Sequence, residues 1–154
     1  MKTVRVGKAA QGLLLAAYTV VLLAVTLLVE GRPGVRTNLA PFEDLSRVAA
    51  LAARRGVLSN GVYFPLVQIA GNLAMFAIWA FLAWKFLDVK GRSPWRNDVE
   101  VLFAGALFSV GIETVQLFLP TRAADINDVF WNVLGTLAGV AVSHLGRYLR
   151  LEWD

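Results

Sequence analysis

Ionisable and amide side chains lie within apolar segments of this sequence, and they are the residues best able to bind a ligand. Glu113 lies in the apolar run 101–119, and Asn132 lies in the run 129–142. A bilayer core penalises such groups, on the order of 2.5–3.5 kcal/mol for a central charge on insertion scales. They persist only if they find partners or perform a function. The candidate ligand-binding residues are Asn72, Glu113, Gln116, Arg122, Asp125, Asp128 and Asn132.

The chemistry of these residues allows more than one interpretation. Arg122 stays charged and can hold a carboxylate through two hydrogen bonds, so we expect it to neutralise Asp125, Asp128 or Glu113. In a purely structural role, Asp125 or Asp128 caps the last helix while the amides bond between helices. In a binding role, the same groups form a ligand pocket. The adjacent arginine opposes a divalent cation, so we predict no metal and no cofactor.

The amino-acid composition is typical of a membrane protein. The chain has 154 residues, of which 57% are hydrophobic and 17% are charged, whereas a soluble domain carries roughly 25% charged residues. The net charge is +4, and the basic residues cluster between apolar runs. This pattern fits loops near anionic lipid and does not favour nucleic acid as a partner. The absence of cysteine excludes disulfides and thiolate metal sites.

The apolar runs predict an all-α, polytopic membrane protein that forms a single domain, 1–154. Four spans are expected at about 10–29, 65–86, 101–119 and 129–149. We interpret the first as an uncleaved anchor, because no A-x-A-like cleavage site follows it. Apolar residues share one face from Glu43 to Arg55, which predicts a short amphipathic surface helix in the first outer loop. The expected architecture is a four-transmembrane-helix bundle.

Charge and depth place the polar groups on one side of that bundle. Nine Lys and Arg residues fall on one side and six on the other, which predicts cytoplasmic termini. At the helical rise of about 1.5 Å per residue, Asn72, Glu113 and Asn132 share one layer near the outer surface. Gly135 and Gly139 form a G-x-x-x-G face that permits close helix approach. We therefore expect a polar pocket that opens outward. His144, near the opposite end, is interpreted as an interfacial residue.

Polar and small residues recur in a fixed pattern from about residue 36 to 143. The pattern reads Asn38-Leu-Ala-Pro41-Phe42, Asn72-Leu-Ala-Met-Phe76, Glu113-x-x-Gln116 and Arg122-x-x-Asp125-x-x-Asp128-x-x-x-Asn132-x-x-Gly135-x-x-x-Gly139. It resembles the VanZ-like family. Relatives often continue with proline and glycine after the residue matched by Phe76, whereas Ala77-Ile78-Trp79 follows here.

The resemblance implies a small bacterial inner-membrane protein with about four spans, from a family named for a protein linked to teicoplanin resistance. Our leading hypothesis is a non-enzymatic protein that binds a membrane lipid or lipid-linked envelope molecule in the outward pocket. One alternative is a membrane enzyme that acts on such a lipid, with Glu113 or Asp128 as general base. Another is a structural or partner-binding membrane protein in which the polar groups only join helices.

Overall fold

All regular elements of the chain are α-helices in the computed structural model, which describes residues 6–28, 37, 38, 40–56 and 59–148. The all-α prediction is therefore confirmed. The helices are α1 (Lys8–Leu28), α2 (Glu43–Arg55), α3 (Asn60–Leu87), α4 (Pro94–Gln116) and α5 (Ile126–Tyr148). An isolated bridge pairs the backbones of Asn38 and Asp125.

Three of the helices are long and apolar enough to cross a membrane. They are α1, α3 and the part of α5 from Ile126 to Leu145. Helix α4 is not among them, and its sequence contains four ionisable residues: Arg96, Asp98, Glu100 and Glu113. The membrane-like character of the chain is confirmed, whereas a fourth crossing stays a prediction.

Two helices begin earlier than the sequence analysis expected. Helix α3 begins at Asn60 and not near Pro65, so this proline lies inside the helix and not in its first turn. Helix α4 begins at Pro94, seven residues before the predicted span, because Ser93 and Pro94 supply a suitable N-cap and first helical residue. The expected span ends at 29 and 149 lie outside the described residues.

Hydrogen bonds made by side chains define how the helices run. The Tyr18 hydroxyl donates to the Met75 carbonyl at 3.1 Å, and Trp79 Nε1 donates to Thr19 Oγ1 at 3.2 Å, so α1 packs against α3. At the start of α1, Lys8 Nζ donates to the Asp88 carbonyl at 2.7 Å. We call this end, near the α3–α4 connection 88–93, the hairpin end. The opposite end, at the α4–α5 connection 117–125, is the loop end.

Helices α3 and α5 run in the same direction and pack most extensively. A Cβ added at Gly135 would collide with the Leu73 carbonyl oxygen, and one added at Gly139 would collide with that of Ala77. Glycine is required at both positions because the two backbones touch there. The predicted G-x-x-x-G face therefore packs against α3.

Helix α2 coincides with the amphipathic segment predicted at Glu43–Arg55. Val48 is buried, and Leu51 approaches Gly61 at the start of α3. The chain enters α2 through Phe42, whose φ of 61° lies in the left-handed region. It leaves through Gly56, whose N–H donates to the Ala52 carbonyl at 3.0 Å. Part of the apolar face of α2 thus packs against protein.

Candidate functional site

The α4–α5 connection is held by a carboxylate from the preceding helix. Glu113 is 8% exposed, and its Oε2 accepts a hydrogen bond from the Asp125 backbone N–H at 2.8 Å. Asp125 immediately precedes α5, and its Oδ1 accepts the Asn127 backbone N–H at 2.8 Å. Asp125 is thus the N-cap of α5, which confirms one of the two structural options. Asp128 lies inside the helix.

Two of the candidate residues point to the end of α1. Arg122 Nη2 donates to the Val25 carbonyl at 2.7 Å, and Gln116 Nε2 donates to the Thr26 carbonyl at 2.9 Å. Both carbonyls are near the C-terminus of α1, where carbonyls lack helical partners and a positive charge is favourable. The two side chains therefore fasten α1 to the α4–α5 connection.

The expected direct pairing of Arg122 with a carboxylate is wrong. Among the described residues, no ion pair joins Arg122 to Glu113, Asp125 or Asp128. Burial lowers the pKa of the Arg122 guanidinium, while the charges of Asp128 and Glu113 oppose that shift. These carboxylates thus stabilise the cation at longer range, and the guanidinium remains charged at neutral pH.

A second group of candidates lies between α3 and α5. The Asp128 carboxylate accepts hydrogen bonds of 3.2 and 3.3 Å from Gln68 Nε2. Asn72, one turn further along α3, is buried beside this carboxylate. Its Nδ2 has no hydrogen-bond partner in the described part of the chain. This amide faces the Asp128 carboxylate and interacts with it, but without the geometry of a well-formed hydrogen bond.

Asn132 follows Asp128 by one turn and is 3% exposed. Its Nδ2 donates to Ser109 Oγ at 2.9 Å, which joins α5 to α4. Its Oδ1 has no hydrogen-bond partner within the described ranges. A buried polar atom left without a partner costs about 1–3 kcal/mol. Asn132 therefore has one atom used in helix packing and one atom that is not satisfied.

The seven candidates all lie at the loop end of the bundle, where the structure divides them into two groups. Gln116 and Arg122 contact α1. Asn72 and Asp128 line the α3–α5 contact, and Asn132 bonds to α4 one turn further along α5. Glu113 and Asp125 lie between the groups and shape the connection. Most of their polar atoms bond within the chain. Within the described part of the chain, three of their buried atoms make no well-formed hydrogen bond: Asn72 Nδ2, Asn132 Oδ1 and Arg122 Nε.

The site contains residues that the sequence analysis did not select. Asn127 Oδ1 accepts the Phe42 N–H at 2.7 Å, and Asn127 Nδ2 donates to Asp125 Oδ1 at 2.8 Å. Asn38 N–H donates to the Ala124 carbonyl at 2.9 Å, and its own carbonyl accepts the Ile126 N–H at 3.0 Å. The segment before α2 is thus joined to the start of α5. The resemblance pattern contained Asn38, but no spacing rule relates it to residue 125.

The hairpin end has its own polar cluster. Asp98 Oδ1 accepts a hydrogen bond from Trp84 Nε1 at 2.7 Å and lies 2.9 Å from His144 Nε2. The cluster joins α3, α4 and α5. His144, predicted to be an interfacial residue, has a defined partner there, and its side chain is 36% exposed.

The fold and the site define the class of this protein: a small all-helical protein with membrane-like helices and a polar cluster at one end of the bundle. The model of the VanZ/LLP1 family matches residues 15–147, nearly the whole chain, and the chain belongs to that family. No curated protein and no solved structure matched the chain.

Proposed function

We propose that this protein is a multi-pass protein of the bacterial inner membrane, and that its loop-end cluster binds an envelope lipid or another amphiphile. One observation carries the proposal. Asn72 Nδ2 and Asn132 Oδ1 are buried polar atoms that make no well-formed hydrogen bond within the described residues, and they flank Asp128 on two packed helices. Packed proteins rarely leave such atoms unpaired, and a bound group satisfies both.

The proposed topology has four crossings. Helix α4 has 23 residues, which span roughly 34 Å at the helical rise and suffice for a bilayer core of about 30 Å. Gly105 of α4 packs against Thr136 in the middle of α5, so α4 lies alongside a membrane-like helix. If α5 crosses, α4 crosses with it. Cytoplasmic termini then place the loop end, with α2 above it, on the outer surface.

The chemistry of the cluster selects the ligand. A free amide donor and a free amide oxygen suit a ligand that both accepts and donates, such as a sugar hydroxyl or an amide. Asp128 beside them disfavours an anion at this point. Among the described residues, Arg122 is the basic residue of the cluster, so an anionic head group belongs on the side facing α1. The ligand that fits both groups has a polar head, a negative charge and an apolar body.

The test compares lipids retained by the purified protein in native mass spectra. The variant Asn72→Leu replaces the amide with an apolar side chain of similar shape and so removes the buried donor. We expect it to lose bound lipid while thermal stability changes little, because the amide makes no well-formed hydrogen bond within the described residues. The control is Ala74→Leu, on the exposed side of the same helix. Identical lipid profiles for the wild type, Asn72→Leu, Glu113→Gln and Arg122→Ala would contradict the proposal.

A link to teicoplanin resistance is the physiological part of the proposal, and it rests on family membership. The resistance of a host expressing the wild-type protein or Asn72→Leu tests it. We expect the minimum inhibitory concentration of teicoplanin to rise with the wild type and to rise less with the variant at equal expression.

A further inference from the structure

Helix α2 crosses from the start of α5 to the start of α3 at the loop end of the bundle. Directly before α2, the Phe42 N–H donates to Asn127 Oδ1 at 2.7 Å, in the first turn of α5. Further along α2, the Leu51 side chain lies against Gly61 in the first turn of α3, where an added Cβ would be 3.4 Å from Leu51 Cδ1. Helices α3 and α5 both begin at the loop end, so α2 bridges their first turns.

The bridge made by α2 lies over the loop-end cluster. Asn127, which is 7% exposed, immediately precedes Asp128. On the other side, Gln68 donates to the Asp128 carboxylate and follows Gly61 by two helical turns, roughly 10 Å at the helical rise. Asn72 lies one turn deeper. A ligand that reaches these groups from the loop end therefore passes α2.

Few contacts hold α2 in place. In the described part of the chain, α2 packs against α3 and against no other helix, and Val48 is the one buried side chain among those of α2 that the structure describes. The contacts with α5 come from Phe42, through its N–H and through its ring, which meets the Phe130 ring edge-on at 5.0 Å. A segment with few buried apolar contacts opens at a low cost in free energy.

Both ends of α2 have backbone conformations suited to a hinge. Phe42, directly before the helix, has a φ of 61°, and Gly56, directly after it, has a φ of 79°. Glycine adopts positive φ freely, whereas phenylalanine is strained there and persists only when its surroundings hold it. Asn127 and Phe130 supply that support. Opening lets Phe42 leave the strained conformation, which offsets part of the lost contacts and keeps the open and closed arrangements close in free energy.

We propose that α2 is a lid that controls access to the loop-end site, with Phe42 and Gly56 as its hinges and the Phe42–Asn127 hydrogen bond as its latch. The inference rests on the proposed function and adds the regulation of that site. Closed, α2 covers Asp128 and Asn72; open, it admits an amphiphile from the loop end. Because entry and release both require opening, locking the lid slows the exchange of bound lipid.

A disulfide between Leu51→Cys and Gly61→Cys locks the lid, because these side chains are adjacent and the natural chain has no cysteine. The purified double variant is loaded with palmitoyl-oleoyl phosphatidylglycerol while reduced, then oxidised and mixed with the deuterated lipid. Native mass spectrometry follows the replacement of one lipid by the other. We expect oxidation to slow replacement about tenfold or more, because a lid that must open limits release, and dithiothreitol to restore the rate.

The wild type, oxidised in the same way, is the control and should exchange at an unchanged rate. Formation of the disulfide is checked by the loss of two hydrogens from the intact mass. A folded double variant that does not form the disulfide would contradict the closed arrangement of α2 on α3.

The latch is tested with Asn127→Ala, which removes the acceptor of the Phe42 N–H. We expect replacement to become about fivefold faster, the factor expected from the loss of one hydrogen bond. The control is Asn60→Ala, the same change at an exposed residue at the start of α3, which should leave the rate unchanged. In the oxidised double variant, Asn127→Ala should have no effect, because the lid cannot open; an effect that persists there would mean damage to the site and not loss of a latch.

The outcomes separate this inference from the proposed function. If the oxidised double variant exchanges lipid as fast as its reduced form while Asn72→Leu loses lipid, the lid inference is wrong and the loop-end site stands. If Asn72→Leu retains lipid like the wild type, the proposed function is wrong, and the lid, which rests on that site, falls with it. Slowed exchange on oxidation together with lipid loss in Asn72→Leu supports both.

Discussion

The Glu113 carboxylate binds a backbone N–H group of the connection that follows its helix. Its Oε2 accepts the N–H of Asp125 at 2.8 Å, across the α4–α5 connection. Asp125 in turn caps α5 through the Asn127 N–H. One buried carboxylate thus fixes the residue that begins the next helix. The position of Arg122 and Asp128 depends on this connection, so the hydrogen bond of Glu113 shapes the whole loop end.

Removing this acceptor should destabilise the protein. Glu113→Ala leaves the Asp125 N–H without its partner, at a cost of about 1–3 kcal/mol. Glu113→Gln keeps an oxygen at the same place and should cost much less. Tryptophan fluorescence during heating in detergent reports the difference, because the chain has five tryptophans. A Glu113→Ala variant that melts like the wild type would show that the carboxylate does not support the connection.

At the residue scale, the sequence predicts which side chains matter better than it predicts their partners. Glu113, Asn132 and Asn72 are predicted as site residues because they are polar residues within apolar segments, and all three are buried. Charge complementarity suggested Arg122 as the partner of Glu113, but the unpaired carbonyls of α1 compete for the same guanidinium. A backbone partner has no sequence signature, so patterns of side chains cannot reveal it.

At the scale of elements, the contact of α3 with α5 positions two of the candidate binding residues. Gly135 and Gly139 let the two backbones meet at Leu73 and Ala77. This close approach brings Asn72 beside Asp128 near the loop end. The same contact would be lost if either glycine carried a side chain, because the nearest atoms are backbone and cannot rotate away.

A pair of alanine variants tests this contact. Gly135→Ala should force α3 and α5 apart and cost about 1–3 kcal/mol, the range typical of overpacking. The matched control is Gly111→Ala in α4, where an added Cβ meets nothing within 4 Å. It should be neutral or stabilise by up to about 1 kcal/mol, because alanine favours helix. Melting temperatures in detergent check both. Equal values for the two variants would mean that α3 and α5 do not touch at Gly135.

The helix boundaries show what local patterns predict. Amphipathic spacing placed α2 at Glu43–Arg55, as observed. The sequence-based prediction places the start of α4 too late, because the charged residues Arg96 and Asp98 are typical of a loop. Ser93 and Pro94 are nevertheless typical of a helix start. Helix α3 extends beyond Pro65 towards Asn60, and the N–H groups of Val62 and Tyr63 bond to the Ser59 carbonyl. Apolar content locates a span but does not mark where its helix begins.

At the scale of the whole molecule, the polar groups lie at the two ends of the bundle. Asn72, Asp128 and Asn132 lie towards the loop end, and Asp98 and His144 lie at the hairpin end. Between them the core is mainly apolar and includes Leu22 and Phe76, and the buried Thr136 hydroxyl is satisfied by the Asn132 carbonyl of its own helix. This separation is what a bilayer requires of a bundle that crosses it. It also gives the two ends different environments, which the proposed topology assigns to opposite sides.

Cysteine labelling tests that topology directly, because the natural chain has no cysteine. Ser93 and Thr121 are exposed residues just outside the two ends of α4. If α4 crosses the membrane with the loop end outward, Thr121→Cys reacts with a membrane-impermeant maleimide in intact cells. Ser93→Cys then reacts only after permeabilisation. Labelling of both variants on one side would show that α4 does not cross, whereas the reverse pattern would keep four crossings and invert the orientation.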